Sequence, residues 1–285
     1  MKPKWKQLRE GYLRRLCTEV LSIVNGVPNN ADRTSRASLA LARSIWQQVC
    51  PRLQITPSSK AKKPQTVGKL FEQVTLTFLQ EAFTKLDHLR PGPWTFEVSG
   101  DLHRFAQYVH LAELKAALQA HPSLHAALGD YLIHSDMLIA RYPLDDEAIN
   151  QREPLFEPDQ RDIAYLTPLR KANNDRPLLH ASISCKWTMR SDRAQNVRTE
   201  ALNLIRNRKG HTPHIVVVTA EPHPGRLASL ALGTGDLDCV YHVALPELER
   251  ALKAYGETGL LDMFYTMVEG RRLRDVADLP LDLAV

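Results

Sequence analysis

The residues most able to do chemistry lie at the end of an apolar segment, LLHASISCKW at 178–187. Its apolar and β-branched residues are typical of a strand, in which successive side chains alternate between the two faces. Ser184 and Lys186 then point to one side and Cys185 to the other. A lysine on such a strand needs an anionic partner or a chemical role, because burying an unpaired ammonium group is costly.

A carboxylate follows the strand at a spacing that suits this partnership. The periodicity of 192–208 predicts a helix with an apolar stripe, and that helix can present Glu200 toward Lys186. A lysine with two or three carboxylates at a sheet edge is what metal-assisted phosphodiester hydrolysis requires, with the acids holding Mg²⁺. The alternative interpretation is an ion pair between Lys186 and Glu200 that does no chemistry.

Such a site needs further carboxylates, and the sequence offers three candidate acidic residues. Asp136 directly precedes the strand-like MLIARY at 137–142, whereas Asp159 lies in the polar run EPDQRD with no apolar strand after it. This context favours Asp136. Glu72 lies on the strongly patterned helix predicted over 68–86, where a carboxylate alone would be expected to face solvent.

The elements that must position these side chains form a pattern of helices around a sheet. We predict an α/β fold with a central mixed β-sheet, as one domain over 1–285 with a mostly helical part at about 1–130 and a sheet core at about 131–285. The stretch 143–177 is acidic and interrupted by proline, and is interpreted as an excursion from the sheet. Helices are predicted over 5–24, 36–50, 68–86, 102–128, 192–208, 224–231 and 246–255, and strands over 94–98, 137–142, 178–187, 214–220 and 238–245.

Composition sets broad bounds on the class of protein. Among the 285 residues, 44% are hydrophobic and 24% charged, which excludes disordered, collagen-like and coiled-coil chains. No apolar run approaches a membrane span of about 20 residues, and the charged N-terminus lacks a secretory core, so we expect a cytoplasmic protein. The net charge of +5 is compatible with nucleic-acid binding without demanding it. The four cysteines have no metal-like spacing, so reduced, buried thiols are expected.

Taken together, these motifs resemble a known family, the type II restriction endonucleases that recognise sites with a CCGG core. The resemblance rests on Ser184-Cys185-Lys186, on Glu200 after thirteen intervening residues, and on Arg190-Ser191-Asp192-Arg193 between them. Within the family it is strongest to members that cut GCCGGC. Matching strings continue through RNRKG, PHIVVVTAEP, LALGTG and DCVYH to the terminal DLPLDLAV.

The resemblance implies a PD-(D/E)xK nuclease fold in which one metal-binding acid has moved from the strand to the helix. Ser184 then occupies the vacated strand position, and Lys186 is the catalytic lysine. Asp136, Glu200 and the accessory acid Glu72 are the implied metal ligands, together with the backbone of Cys185. Ser135 departs from the pattern, since a proline is expected before the first acid.

The resemblance also assigns the reading of DNA bases. Arginine can donate two hydrogen bonds to guanine, and aspartate can accept one from cytosine, so Arg190, Asp192 and Arg193 suit two G·C pairs. The alternative interpretation is a helix start in which Asp192 is the N-cap and the two arginines are solvated. For the outer base pair the family suggests Asp32 and Arg226 in the major groove and Gln65 in the minor groove.

These expectations combine into one predicted function. The chain is expected to be a Mg²⁺-dependent endonuclease that cuts double-stranded DNA at GCCGGC and leaves 5′ overhangs. The resemblance implies at least a dimer, a homotetramer of two dimers, and a methyltransferase that protects the host's own sites. Two alternatives are a PD-(D/E)xK nuclease of other specificity, either one that cuts a different CCGG site or a repair nuclease, and a DNA-binding protein without catalysis.

Overall fold

The computed structural model describes residues 3–121, 123, 134–157, 160–233 and 235–285. Helices in the first third of the chain precede a six-stranded sheet whose parallel half is connected by further helices. The elements in chain order are α1 (Lys4–Arg15) with a π-helical turn (Leu16–Val20), β1 (Ile23–Val24), β2 (Val27–Pro28), α2 (Arg36–Arg52), α3 (Pro64–Leu86), β3 (Trp94–Asp101), 3-10 turns at Leu102–Arg104 and Ala106–Tyr108, α4 (Leu111–Ala120), β4 (His134–Arg141), α5 (Asp146–Ile149), β5 (Leu178–Lys186), α6 (Ser191–Asn207), β6 (His214–Thr219), α7 (Pro224–Ala231), β7 (Cys239–His242), α8 (Leu245–Tyr255), α9 (Thr258–Glu269), β8 (Leu273–Asp275) and α10 (Leu279–Asp282).

The sheet is mixed, as the sequence predicts. Its strand order is β3-β4-β5-β6-β7-β8, with β3, β4 and β5 antiparallel and β5 to β8 parallel. β3 pairs with β4 although it precedes residue 130, so the mostly helical part contributes an edge strand to the sheet. One hydrophobic cluster joins side chains of α1, α2 and α3 to those of the sheet.

The parallel half of the sheet places several strand ends side by side. Lys186, the last residue of β5, pairs with Thr219 of β6, which pairs with His242 of β7. β6 is buried almost throughout because helices cover both faces of a parallel sheet, which explains its run of valines. The loops that follow these strands therefore meet at one edge.

Several predicted boundaries differ from the structure. α3 begins at Pro64, four residues before its predicted start, because proline is well accommodated in the first helical turn. The region 102–128 contains two 3-10 turns before α4, and the predicted helix beyond residue 121 lies outside the described residues apart from residue 123. α9 and β8 were not predicted.

The segment between β4 and β5 is an excursion from the sheet, in agreement with the sequence. Arg170 lies near its end with only 1% of its side chain exposed. Its guanidinium makes a two-pronged ion pair with Asp146, at 2.6 and 2.7 Å, and stacks over Phe156. A buried arginine thus organises the turn of this segment.

Two tryptophans hold the loop between β2 and α2 against the strand ends. Trp46 of α2 stacks on Trp187 at 5.8 Å between ring centroids. The Trp187 indole N–H donates to Asn29 at 3.1 Å, and that of Trp46 donates to Asn30 at 2.9 Å. The Asn30 amide in turn donates to the carbonyl of Ala220, after β6, at 2.7 Å. The N-terminal loop is therefore fixed at the edge where β5 and β6 end.

The four cysteines are free thiols and all are buried, as expected. Among the residues that the structure describes, no helix is long and apolar enough to cross a membrane.

Candidate active site

Asp136 and Lys186 come together at the end of β5. Asp136, on β4, accepts a hydrogen bond from the Lys186 ammonium group at 2.6 Å and another from the backbone N–H of Cys185 at 2.8 Å, both at its Oδ2. The two side chains are 23% and 19% exposed. The antiparallel pairing of β4 with β5 produces this contact between residues 50 positions apart.

Ser135 occupies the position where a proline is expected. Its hydroxyl lies 2.8 Å from the hydroxyl of Ser182 on β5, and both residues are buried. The strand therefore runs through this position without a proline, and Asp136 still reaches Lys186. The competing candidate, Asp159, lies outside the described residues.

Glu200 approaches the same strand from α6. The helix packs its buried stripe, Ala194, Val197, Ala201 and Leu204, on the sheet, as its periodicity predicts. Glu200 Oε2 lies 3.5 Å from the Ser184 hydroxyl. The helix therefore brings a carboxylate to the strand position held by Ser184.

Glu72 is the third carboxylate of this group. Burial and the neighbouring charge of Asp136 raise its pKa, and Lys186 opposes the shift. Burial also raises the pKa of Glu200, which Lys186 lowers and Asp136 raises. The acids thus disfavour one another's ionisation, as expected where several carboxylates share one region.

Lys186 is the cation that partly offsets these charges. Burial acts to lower its pKa, but the charge and hydrogen bond of Asp136, together with the charge of Glu200, outweigh burial, and the pKa is raised. Its direct ion pair is with Asp136, at 2.6 Å, and Glu200 acts on it through its charge. Cys185 faces the core, and burial raises the pKa of its thiol well above the usual range.

A cleft of about 630 Å³ joins these residues to the candidate base readers. A second cleft of about 670 Å³ adjoins it and shares Asp32, Arg190 and Arg226 with it. The residues that line the first cleft include Glu72, Lys186 and Glu200, together with Asp32, Arg190, Arg193 and Arg226.

The quartet at 190–193 forms the start of α6. Arg190 is the N-cap residue, and the helix begins at Ser191. Asp192 is exposed in the first turn, so the alternative in which Asp192 caps the helix is wrong. Arg193 donates to the carbonyl and hydroxyl of Thr188, at 3.2 and 2.9 Å.

Asp32 and Arg226 form an ion pair across 194 residues of sequence. The amide and hydroxyl of Thr34 lower the pKa of Asp32 to about 2, with a smaller contribution from Arg226. Arg226 also donates to the carbonyl of Met189 at 3.1 Å. Gln65 is exposed in the first turn of α3 and does not line either cleft.

The amino-acid sequence of the chain matches a family of known proteins. The family model described as NgoMIV restriction enzyme matches residues 12–285. The chain is also 47% identical to the type II restriction enzyme NgoMIV of Neisseria gonorrhoeae, over 293 aligned positions that cover 100% of both chains. The chain belongs to the NgoMIV restriction-enzyme family.

Membership of the NgoMIV family confirms the predicted enzyme class and fold. The chain is a type II restriction enzyme, a site-specific deoxyribonuclease with DNA as its substrate and a PD-(D/E)xK fold. Type II restriction enzymes generally use a divalent metal. A repair nuclease and a DNA-binding protein without catalysis are not the classes to which this chain belongs.

Sequence reasoning missed some residues that shape the cleft. Asn30 joins α2 to the end of β6, and Glu221 accepts hydrogen bonds from two loops. Glu221 carried a usable signal, because a carboxylate directly following the apolar run HIVVVTA marks the end of a buried strand. Asn30 lies in a loop without periodicity and carried none.

Proposed function

We propose that this enzyme hydrolyses both strands of double-stranded DNA at GCCGGC, in a Mg²⁺-dependent reaction that leaves 5′ overhangs. The main support for the proposal is that one cleft is lined by both sets of candidate residues. Those proposed for cleavage are Glu72, Lys186 and Glu200, and those proposed for base recognition are Asp32, Arg190, Arg193 and Arg226. We further propose that residues 1–285 act as one domain, because α3 supplies Glu72 to the site on the sheet.

The residues present fit a bound Mg²⁺. Asp136, Glu200 and Glu72 offer carboxylate oxygens, the ligands this ion prefers, and the carbonyl oxygen of Cys185 is a further candidate ligand, since its N–H donates to Asp136. Burial, and to a smaller extent the charge of Asp136, raises the pKa values of Glu72 and Glu200, and a nearby cation would favour their ionised forms. No preformed cluster of three His, Cys, Asp or Glu side chains exists among the described residues, and Mg²⁺, which keeps several waters, does not need one.

The side chains of the site have distinct roles in the proposed reaction. A metal bound by the carboxylates would lower the pKa of an attacking water and offset charge on the phosphate. Lys186, held by Asp136 as an ammonium group, orients that water or contacts the scissile phosphate. Ser184 leaves room on the strand for the carboxylate of Glu200, which arrives from α6.

The base readers suit a palindrome rich in G·C pairs. Arg190 and Arg193 can each donate to guanine, and Asp192 can accept from cytosine N4, so one subunit covers two core pairs. The Asp32–Arg226 ion pair presents one acceptor and one donor, which suits an outer G·C pair, with Gln65 assigned to the minor groove. Two subunits related by a two-fold axis then read the whole site.

Digestion of plasmid DNA followed by sequencing of the ends tests the proposed specificity. In the presence of Mg²⁺ we expect every cut to fall within GCCGGC and to leave 5′ overhangs, whereas omission of Mg²⁺ should leave the DNA intact. Ends that share the CCGG core but not the outer pair would overturn the assignment of Asp32, Arg226 and Gln65. Ends without a common site would overturn all the base-reading assignments.

We also propose that the enzyme acts as a homo-oligomer, at least a dimer and, from the family resemblance, a homotetramer, with a protective methyltransferase as its functional partner. Leu155, Ile163, Tyr165 and Leu166 support contact between copies, because all are large apolar side chains exposed within one short segment of the excursion before β5. Leu166 is 79% exposed, which is unusual for a leucine that only faces solvent.

Substitution of Leu166 by glutamate is expected to shift the enzyme toward smaller species, because a buried charge would weaken an apolar contact between copies. Sedimentation velocity measures the shift. Leu89→Glu is the matched control, since Leu89 is also exposed, at 55%, but lies in the turn that follows α3. An unchanged distribution for Leu166→Glu would remove this segment as a contact surface, and a monomeric wild-type enzyme bound to cognate DNA would contradict the oligomer itself.

A further inference from the structure

Glu221 is a buried carboxylate directly beyond the end of β6. None of its surface is exposed, although ionised carboxylates are costly to bury unless they are well hydrogen-bonded. Its own backbone N–H donates to the Thr219 hydroxyl at 3.1 Å, which bends the chain away from the strand. The side chain is therefore held in the interior behind the cleft.

Each oxygen of this carboxylate binds a different loop. Oε2 accepts the backbone N–H of Met189 at 2.9 Å, and Oε1 accepts that of His223 at 3.1 Å. The guanidinium of Arg226 lies 3.8 Å from Oε2 and donates to the Met189 carbonyl at 3.1 Å. Glu221 and Arg226 thus hold both backbone polar groups of Met189.

The two loops carry different parts of the proposed reading machinery. Met189 directly precedes Arg190, the first of the residues assigned to the CCGG core. His223 caps α7, which carries Arg226, and its ring accepts the Gly225 N–H at 3.1 Å. Arg226 is assigned with Asp32 to the outer base pair. One buried side chain therefore connects the elements that read the core to those that read the outer pair.

We propose that Glu221 is a positioning residue for sequence discrimination, one that sets the outer-pair reader Arg226 in register with the core reader Arg190. The proposal rests on the base-reading roles proposed above and extends them to a residue that lies behind the cleft. Without both hydrogen bonds, α7 and the Met189 loop shift independently, and the outer pair is read less strictly than the core.

Glu221→Gln is the sharpest variant for testing this role. Burial raises the pKa of Glu221 to about 7, opposed by the Met189 and His223 amides and by Arg226, so a neutral side chain of the same shape is a mild change of charge. What glutamine removes is one of the two acceptor oxygens. Glu221→Asp keeps both oxygens on a shorter side chain and provides a second variant.

The measurement compares kcat/KM for duplexes containing the cognate site, as identified by the plasmid digest, with kcat/KM for duplexes altered only in the outer pair. We expect Glu221→Gln to reduce this ratio about tenfold, the equivalent of one buried hydrogen bond, and Glu221→Asp to reduce it less. Discrimination against duplexes altered in the CCGG core should change less than discrimination at the outer pair.

Glu247→Gln is the matched control, because Glu247 is an equally buried glutamate, 1% exposed, that binds Arg9 outside the clefts. It should lower thermal stability without changing the ratio. A ratio that stays at the wild-type value in both Glu221 variants would overturn the positioning role, as would an equal loss on all duplexes. A wild-type enzyme without preference at the outer pair would instead contradict the proposed site, so the two failures are distinguishable.

Discussion

Lys186→Ala should lower the rate of DNA cleavage by about a hundredfold to a thousandfold, the range for losing one positioned hydrogen-bond donor to a developing negative charge. Lys186 donates a hydrogen bond to the candidate metal ligand Asp136 at 2.6 Å, and it lines the cleft. The affinity for cognate DNA should change little, because Lys186 is not among the candidate base readers.

Single-turnover cleavage in Mg²⁺, paired with binding measured without Mg²⁺, separates the two effects. Lys115→Ala is the matched control, because Lys115 also forms an ion pair with an aspartate, Asp101 at 2.9 Å, but lies outside both clefts. It should cleave at the wild-type rate. Substantial residual cutting by Lys186→Ala would mean that the lysine is misassigned, and a comparable loss of binding would make its role one of DNA affinity.

Asp136→Asn is expected to have the second large effect, on both metal affinity and cleavage. Asparagine keeps the shape of the side chain but removes the charge that a divalent cation needs and that holds Lys186. Changing even an outer-shell partner of a metal costs about 10- to 100-fold in affinity, so loss of a ligand should cost at least about a hundredfold. Cleavage should fall in parallel and recover only in part at high Mg²⁺.

Calorimetric titration of the protein with Mg²⁺, and cleavage as a function of Mg²⁺ concentration, measure the effect. Asp101→Asn, which removes the exposed partner of Lys115, is the control and should leave both curves unchanged. The same measurements on Asp159→Asn decide between the two candidate acids of the sequence. If Asp159→Asn loses Mg²⁺ affinity and Asp136→Asn does not, the assignment of Asp136 is wrong.

The locally patterned parts of the site were predictable. Alternation along 178–187 predicted a strand with Ser184 and Lys186 on one face, and the stripe of 192–208 predicted a helix that carries Glu200 to it. Both hold in the structure, because a strand and a helix orient their side chains with fixed periods of 2 and 3.6 residues. The motif at 184–200 then carried the resemblance that predicted the enzyme class.

The charge of the chain was less informative than its placement. A net charge of +5 is small for a DNA-cleaving enzyme, and the cleft explains why. Carboxylates such as Glu72, Glu200 and Asp32 share the cleft with the arginines and Lys186. The proposed metal ligands and cytosine contacts are acids, and their negative charges offset those of the arginines. The net charge of the whole chain is therefore a poor guide to DNA binding.

Contacts between distant segments could be seen only in the tertiary structure. Sequence context favoured Asp136, but its bond to Lys186 depends on the antiparallel pairing of β4 with β5. The Asp32–Arg226 pair joins segments 194 residues apart, and the two acceptor oxygens of Glu221 join loops after β5 and β6. Periodicity reports which face of an element is buried, whereas strand order and loop packing arise from the whole core, and they determine which distant side chains meet.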